Sequence, residues 1–337
     1  MSDRSSAGNR CAGGGDGRCL NRTWTDNLAN FARRSGAKLV FGLNVEACAK
    51  PELTELGKNP CKGQAWNPTE AKALMQYLIQ ANHTVYGFEL GNEQNTNYTP
   101  RQAATYFKVL ADLLLELWPE PSARPKIIGP DVHGFHGDPR TSRAEEPKLR
   151  FLKEFAPNCS QLGVPLHAAT HHEYVEVDEN PTAPPRVAQL QITNQVAIAV
   201  NDTLTRVAPS VQIWAGEIGP HNGGTVPCDR SENTPMRWAN FADSHWYLDA
   251  MGVKAANGYS VFCRQDFVGI DYGMIDCATY APLPDYYAGI LWSKLMGSLV
   301  LKATSSDPTL RAYAHCSAGP TGASSYSYAT RHISLSR

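Results

Sequence analysis

No stretch of the chain approaches the roughly 18 consecutive apolar residues that a membrane-spanning helix needs. The opening segment MSDRSSAGNRCAGGGDGRC contains no apolar core of the kind found in secretory leaders. The sequence therefore reads as a chain without a transmembrane segment and without a signal peptide. Excess charge is missing too: 31 Lys and Arg stand against 32 Asp and Glu, a formal net charge of −1. Nothing in that balance is built for a nucleic acid, an anionic membrane or a heavily sulfated polymer. The cysteines form no CxxC pair of the zinc or thioredoxin type, and no HExxH is present, so the usual metal and redox signatures are excluded. Disorder is excluded for most of the length by 42% hydrophobic and 19% charged residues.

What is there is enough apolar material for one large core. A chain of 337 residues accommodates a (β/α) barrel of ~250 residues with a remnant left over. Nine cysteines and the sequons at Asn21, Asn82, Asn97, Asn158 and Asn201 are a combination found in secreted or lysosomal proteins. The odd cysteine count points to structural disulfides with at least one orphan. Cys48 and Cys61 are a plausible local pair.

From Lys38 onward, β-branched and aromatic runs alternate with longer amphipathic stretches, the pattern of βα units around a parallel sheet. The strand candidates cover residues 38–45, 85–92, 126–132, 167–174, 211–219 and 258–267. Helices are predicted to open at Asn67-Pro68-Thr69-Glu70 and at Thr99-Pro100, and to run over 185–207 and 235–251. The Gly-rich residues 1–20 read as disordered. The segments SLVLKA and LRAYAHCS read as strands of a second, all-β module that stops in the Ser/Gly-rich segment AGPTGASSYSYAT. Six strands are two short of a closed barrel, and both ends read as cut.

Polar residues gather at the C-terminal ends of the strand candidates, where such barrels carry their chemistry. Glu93 ends FELGNE and Glu217 ends IWAGE. Two carboxyl groups brought ~5 Å apart from different strands are what retaining glycoside hydrolysis needs, one to protonate the leaving oxygen and one to attack the anomeric carbon. Asn92, just before Glu93, suits a hydrogen bond to the sugar 2-hydroxyl. Glu89, four residues back on the same strand, reads as a deeper residue with an ion-pair role. Of the histidines, His167 and His171 share a strand face but lie ~13 Å apart, too far to chelate one ion, so no metal or other cofactor is expected. Trp66, Trp118, Trp214 and Trp238 read as packing residues.

The segments FGLN, FELGNEQN, GPDVHG, HHEY, WAGEIGPHNGG, RQDFVGIDYGMID and PLPDYYAGILWSKLMGSLVL, in this order from about residue 19 to 316, resemble glycoside hydrolase family 79, the heparanase-like enzymes. The resemblance implies a (β/α)8 TIM barrel of glycosidase type, here lacking its first two βα units, with the start of a C-terminal β-sandwich. Residues 1–20 would then be the N-terminal tail, 21–297 the barrel with its strands three to eight, and 298–337 the sandwich remnant. It implies β-glucuronidase chemistry with retention of configuration, Glu93 as acid/base and Glu217 as nucleophile. It also implies that Gly223 and Gly224 offer backbone amides to the substrate carboxylate, an anion-binding nest, and that Gln265 and Tyr272 line the same subsite. His171 matches a histidine near the nucleophile. Glu173 takes the place of a substrate-contacting tyrosine, with Tyr174 turned to the opposite face. Cys316 matches a cysteine whose disulfide partner is absent here.

The expected substrate is a glucuronic-acid-containing glycan or glycoside, of the weakly charged cell-wall kind rather than heparan sulfate, because the basic residues are scattered among acidic ones. The family implies an extracellular, lysosomal or vacuolar location, compatible with peripheral association with membrane or matrix, and a monomer is expected. The alternative is a catalytically inactive carbohydrate-binding protein or a truncated fragment of such an enzyme.

Overall fold

The computed structural model describes residues 20–46, 65–143, 145–175, 187–220, 241–269, 272–307, 310–317 and 325–331. Six strands form one sheet in sequential order: β1 (Val40–Leu43), β2 (Gly87–Leu90), β3 (Lys126–Phe135), β4 (Leu166–Tyr174), β5 (Gln212–Gly219) and β6 (Tyr259–Arg264). The registers of β1 with β2, β2 with β3 and β5 with β6 are parallel. The six predicted strands are thus the six observed, each within a few residues. The fold is mixed α/β, built from βα repeats around a parallel sheet. The chain divides into two compact units, one comprising Met1–His133, Arg150–Thr170 and Val207–Val211, the other Gly134–Leu149, His171–Arg206 and Gln212–Arg337.

In the first unit, α1 (Arg22–Ser35) is capped by Asn21, whose side chain accepts from the Trp24 N–H, and ends at Gly36 in the left-handed conformation. Arg33 and Arg34 in its last turn complement the helix dipole. The helix α2 (Thr69–Gln80) opens one residue after the predicted proline, with Pro68 at the cap. Thr99 and Pro100 open α3 (Pro100–Leu117) as predicted: the Thr99 hydroxyl accepts from the Gln102 N–H and Pro100 sits where no N–H is needed. Buried Ala103, Phe107, Leu110 and Leu114 form the inward stripe of α3. Phe107 meets Phe155 of α4 (Glu146–Gln161) edge to face, with ring centroids 5.0 Å apart. A Cβ on Gly129 of β3 would lie 2.4 Å from the Phe107 ring, so only glycine lets that strand lie against α3. Trp66 is buried and donates to the Asn44 carbonyl, and Trp118 packs on Phe88.

The second unit holds α5 (Val187–Val207), α6 (Phe241–Ala256) and α7 (Pro284–Leu295), followed by β7 (Met296–Leu301), β8 (Leu310–Ser317) and β9 (Ser325–Arg331) in an antiparallel sheet of three. The all-β module therefore does not stop in the Ser/Gly-rich segment. Its SYSYATR half pairs with β8 from Leu310↔Arg331 to Cys316↔Ser325. Tyr313 of β8 is buried against α6: its hydroxyl donates to Asp249 at 2.7 Å, and a Cβ on Gly252 would come within 2.4 Å of its ring. Trp214 of β5 is buried, as predicted.

Residues 1–19, Trp238 and the Cys48–Cys61 pair lie outside the described residues. Cys277 is disulfide-bonded, whereas Cys159 and Cys316 are free thiols. No helix among the described residues is long and apolar enough to cross a membrane.

Candidate active site

The first unit carries Asn92 and Glu93 at the end of β2. Gly91 turns the chain at φ +85°, and Glu93 itself sits at φ +55°, a left-handed conformation that few non-glycine residues adopt. Such a position costs on the order of 1–3 kcal/mol and persists only when its surroundings enforce it. Here the Glu93 N–H donates to the Asp131 carbonyl at 3.0 Å. The Asp131 N–H in turn donates to the Thr170 hydroxyl at 2.8 Å, and that hydroxyl donates to Glu89 at 2.8 Å. Glu89 thus anchors a hydrogen-bonded ladder through the Thr170 hydroxyl. His133 Nδ1 lies 3.6 Å from the Glu93 carboxylate, and the His133 N–H is held by Asn95 at 2.7 Å. Asn92 is exposed at the strand end.

The second unit carries Glu217 on β5, with its side chain 26% exposed. It accepts a hydrogen bond from the Tyr174 hydroxyl, and the imidazole of buried His172 lies 3.7 Å away. The Tyr174 ring stacks on His136, with centroids 6.4 Å apart. Glycines flank that ring closely: a Cβ on Gly219 would approach it to 2.8 Å, nearer than side chains tolerate, and one on Gly134 to 3.2 Å, a tight contact. Two motif glycines, in GPDVHG and in AGEIG, thereby acquire a physical reason.

The assignment of faces along β4 is corrected by one residue. His171, expected beside the nucleophile, is fully buried on the other side, with Nε2 2.8 Å from the Tyr259 hydroxyl and its ring edge-on to Phe135. Glu173, expected to face the substrate, is fully buried in an ion pair with Lys254 of α6. It is His172 and Tyr174 that reach Glu217. Burial holds the His171 imidazole well below the ordinary histidine range, with the nearby Lys254 charge adding to the effect. Burial also lowers Lys254, partly offset by Glu173, and raises Tyr259 well above the usual phenol range, with Glu173 adding to the shift.

Gln265 follows β6, is half-buried, and donates its N–H to the Ile218 carbonyl, the residue after Glu217, at 2.9 Å. Tyr272 is buried with its ring against the guanidinium of Arg264. Gly223 and Gly224 lie outside the described residues. Sequence reasoning counted Asp131 and His172 among the polar strand ends but gave no role beside the two glutamates to them, or to His133, His136 and Tyr174. For His172 and Tyr174 the signal was present, since alternation places them together on one face of the strand.

Comparison with known proteins matches residues 8–252 to the model described as "Glycosyl hydrolase family 79, N-terminal domain". Heparanase-like protein 1 of Arabidopsis thaliana is 28% identical over 321 residues, covering 90% of this chain and 53% of that protein. Baicalin-beta-D-glucuronidase of Scutellaria baicalensis is 28% identical over 324 residues, covering 90% of this chain and 56% of that protein. The chain spans about half the length of the curated relatives it matches. Among solved structures, CelM2, a bifunctional glucanase-xylanase from a metagenome library, shares the fold with a TM-score of 0.59 at 12% identity, over 87% of this chain and 70% of that one. With a family model matched over most of its length and relatives of the heparanase-like type, the chain belongs to glycosyl hydrolase family 79.

Proposed function

We propose that the protein is a retaining glycosidase that cleaves β-linked glucuronides. The observation that carries this reading is the setting of Glu217: a half-buried carboxylate at a strand end, steadied by the Tyr174 hydroxyl with His172 alongside. In this reading the Glu217 carboxylate attacks the anomeric carbon as the bond to the leaving oxygen breaks, and Glu93 gives that oxygen its proton. Water, deprotonated by Glu93, then hydrolyses the glycosyl ester and frees Glu217. The left-handed backbone at Glu93, braced through Asp131, is the kind of strain that functional positions retain.

Asn92 is assigned to the sugar 2-hydroxyl, and Gln265 and Tyr272, with Gly223 and Gly224, to the sugar's carboxylate. His171, by its burial, is assigned to packing, and His172 takes its place beside the nucleophile. The names of the relatives favour a glucuronide, and the near-neutral charge of this chain favours a weakly charged one over a sulfated polyanion. The disulfide at Cys277 supports an oxidising, extracellular or lysosomal compartment.

The test is hydrolysis of 4-nitrophenyl β-glucuronide by the purified protein beside Glu217→Gln and Glu93→Gln, with the anomer of the product read by NMR. Turnover with retention that Glu217→Gln abolishes is the expected result. Binding of glucuronides by a folded protein without turnover would establish the inactive, carbohydrate-binding reading instead.

A further inference from the structure

Arg264, at the end of β6, is enclosed: its side chain is 3% exposed and faces the rings of Trp246, Tyr247 and Tyr272 at 5.2, 5.7 and 5.8 Å. Its N–H groups donate to four acceptors. Two are backbone carbonyls of the following loop, those of Gln265 and of Tyr272, the latter at 2.7 Å. The other two are the carboxylates of Asp243 on α6 and Asp285 on α7, at 3.2 and 2.9 Å. One planar guanidinium therefore ties the loop that carries Gln265 and Tyr272 to two helices. Three of these acceptors face Nη2 and the Gln265 carbonyl faces Nη1, so a lysine, with its donors on one nitrogen, cannot hold the Gln265 carbonyl as well.

The same loop is joined to the strand of the nucleophile through the Gln265 N–H on Ile218. Burial, with Asp285 alongside, pushes the Asp243 carboxyl well above the usual carboxylate range. Breaking a buried ion pair by removing one partner is costly, so this contact holds the loop firmly.

We propose that Arg264, clamped between Asp243 and Asp285, is a positioning residue that holds Gln265 and Tyr272 in place and thereby sets the preference for an acidic over a neutral sugar. The inference rests on the reading of Gln265 and Tyr272 as lining the carboxylate subsite. Arg264 touches no substrate in this scheme and acts through the backbone of those two residues.

The experiment compares the parent protein with Arg264→Lys, and with Asp285→Asn as a second variant that keeps the arginine and the side-chain shape. Circular dichroism confirms that each is folded. kcat and KM are measured on 4-nitrophenyl β-glucuronide and 4-nitrophenyl β-glucoside. In either folded variant, KM for the glucuronide rises roughly tenfold with kcat nearly constant, and the kcat/KM preference for glucuronide over glucoside falls by a similar factor. A folded variant in which both substrates lose activity by the same factor, or in which the preference is unchanged, overturns the positioning role while leaving the glucuronidase reading standing. Failure of both variants to fold shows Arg264 to be a stability element and also overturns the role. A parent protein that hydrolyses neither glycoside overturns both readings.

Discussion

The Tyr174 hydroxyl and the Glu217 carboxylate form a hydrogen bond of the charge-assisted class, worth about 1.5–3 kcal/mol. Tyr174→Phe keeps the ring that stacks on His136 and fits between Gly134 and Gly219, and deletes only that bond. Turnover of a glucuronide should then fall by roughly 10- to 100-fold with little change in melting temperature. Undiminished turnover would remove Tyr174 from the mechanism. His171, three positions back, makes a different kind of claim. Its imidazole stays neutral in the folded state, chiefly because it is fully buried, whereas in the unfolded chain a histidine takes up a proton near pH 6.5. Below that pH the unfolded state binds the extra proton, so stability is lost as pH falls through about 6.5, at up to about 1.4 kcal/mol per pH unit. Above it the contribution does not vary with pH. His171→Asn should flatten the fall in melting temperature between about pH 6.5 and 5. Equal slopes in parent and variant would contradict a neutral His171.

Helix α6 shows how an element is fixed by one contact. The Tyr313 ring lies where a Cβ on Gly252 would be, and its hydroxyl is tied to Asp249 one turn earlier on the same helix. Gly252→Ala should destabilise the protein by about 1–3 kcal/mol through overpacking, and by much less when combined with Tyr313→Leu, which clears the space. A full cost that persists in the double variant would place the strain elsewhere. Elements of this kind differ in how far the sequence discloses them. The central strands were readable because parallel strands covered on both faces keep continuous β-branched and aromatic runs, and α3 because Thr99-Pro100 is a capping signal. Helix α1 passed unnoticed: its buried stripe is Thr25, Ala29 and Ala32, too small and polar to register as a hydrophobic face. Strand β9 was read as part of the Ser/Gly-rich segment in which the all-β module stops. At the site, Glu93 and Glu217 stand out from their places after strands. The faces of HHEY did not, because four polar residues in a row carry no apolar alternation to say which side is inward, and Lys254, which pairs with Glu173, lies 81 positions away on α6.

At the scale of the whole molecule, the even balance of 31 basic and 32 acidic residues bears on the substrate proposed above. Several of the cations are already committed to carboxylates: Lys72 to Glu116, Lys108 to Asp112, Lys148 to Glu145, Lys254 to Glu173, Arg264 to Asp243 and Asp285, and Arg311 to Asp249. A protein that gathers a polyanion by long-range attraction needs a field of one sign, and its association weakens steeply as the Debye length shrinks from about 30 Å at 0.01 M salt to about 8 Å at 0.15 M. A single glucuronate carboxylate recognised at short range is screened far less. The kcat/KM for a small glucuronide should therefore change less than about twofold over that range of salt, and added heparin should inhibit only weakly at either end. A steep loss of activity with salt, or tight inhibition by heparin that salt relieves, would mean that the cations are marshalled along a groove after all and that the natural substrate is the sulfated polymer.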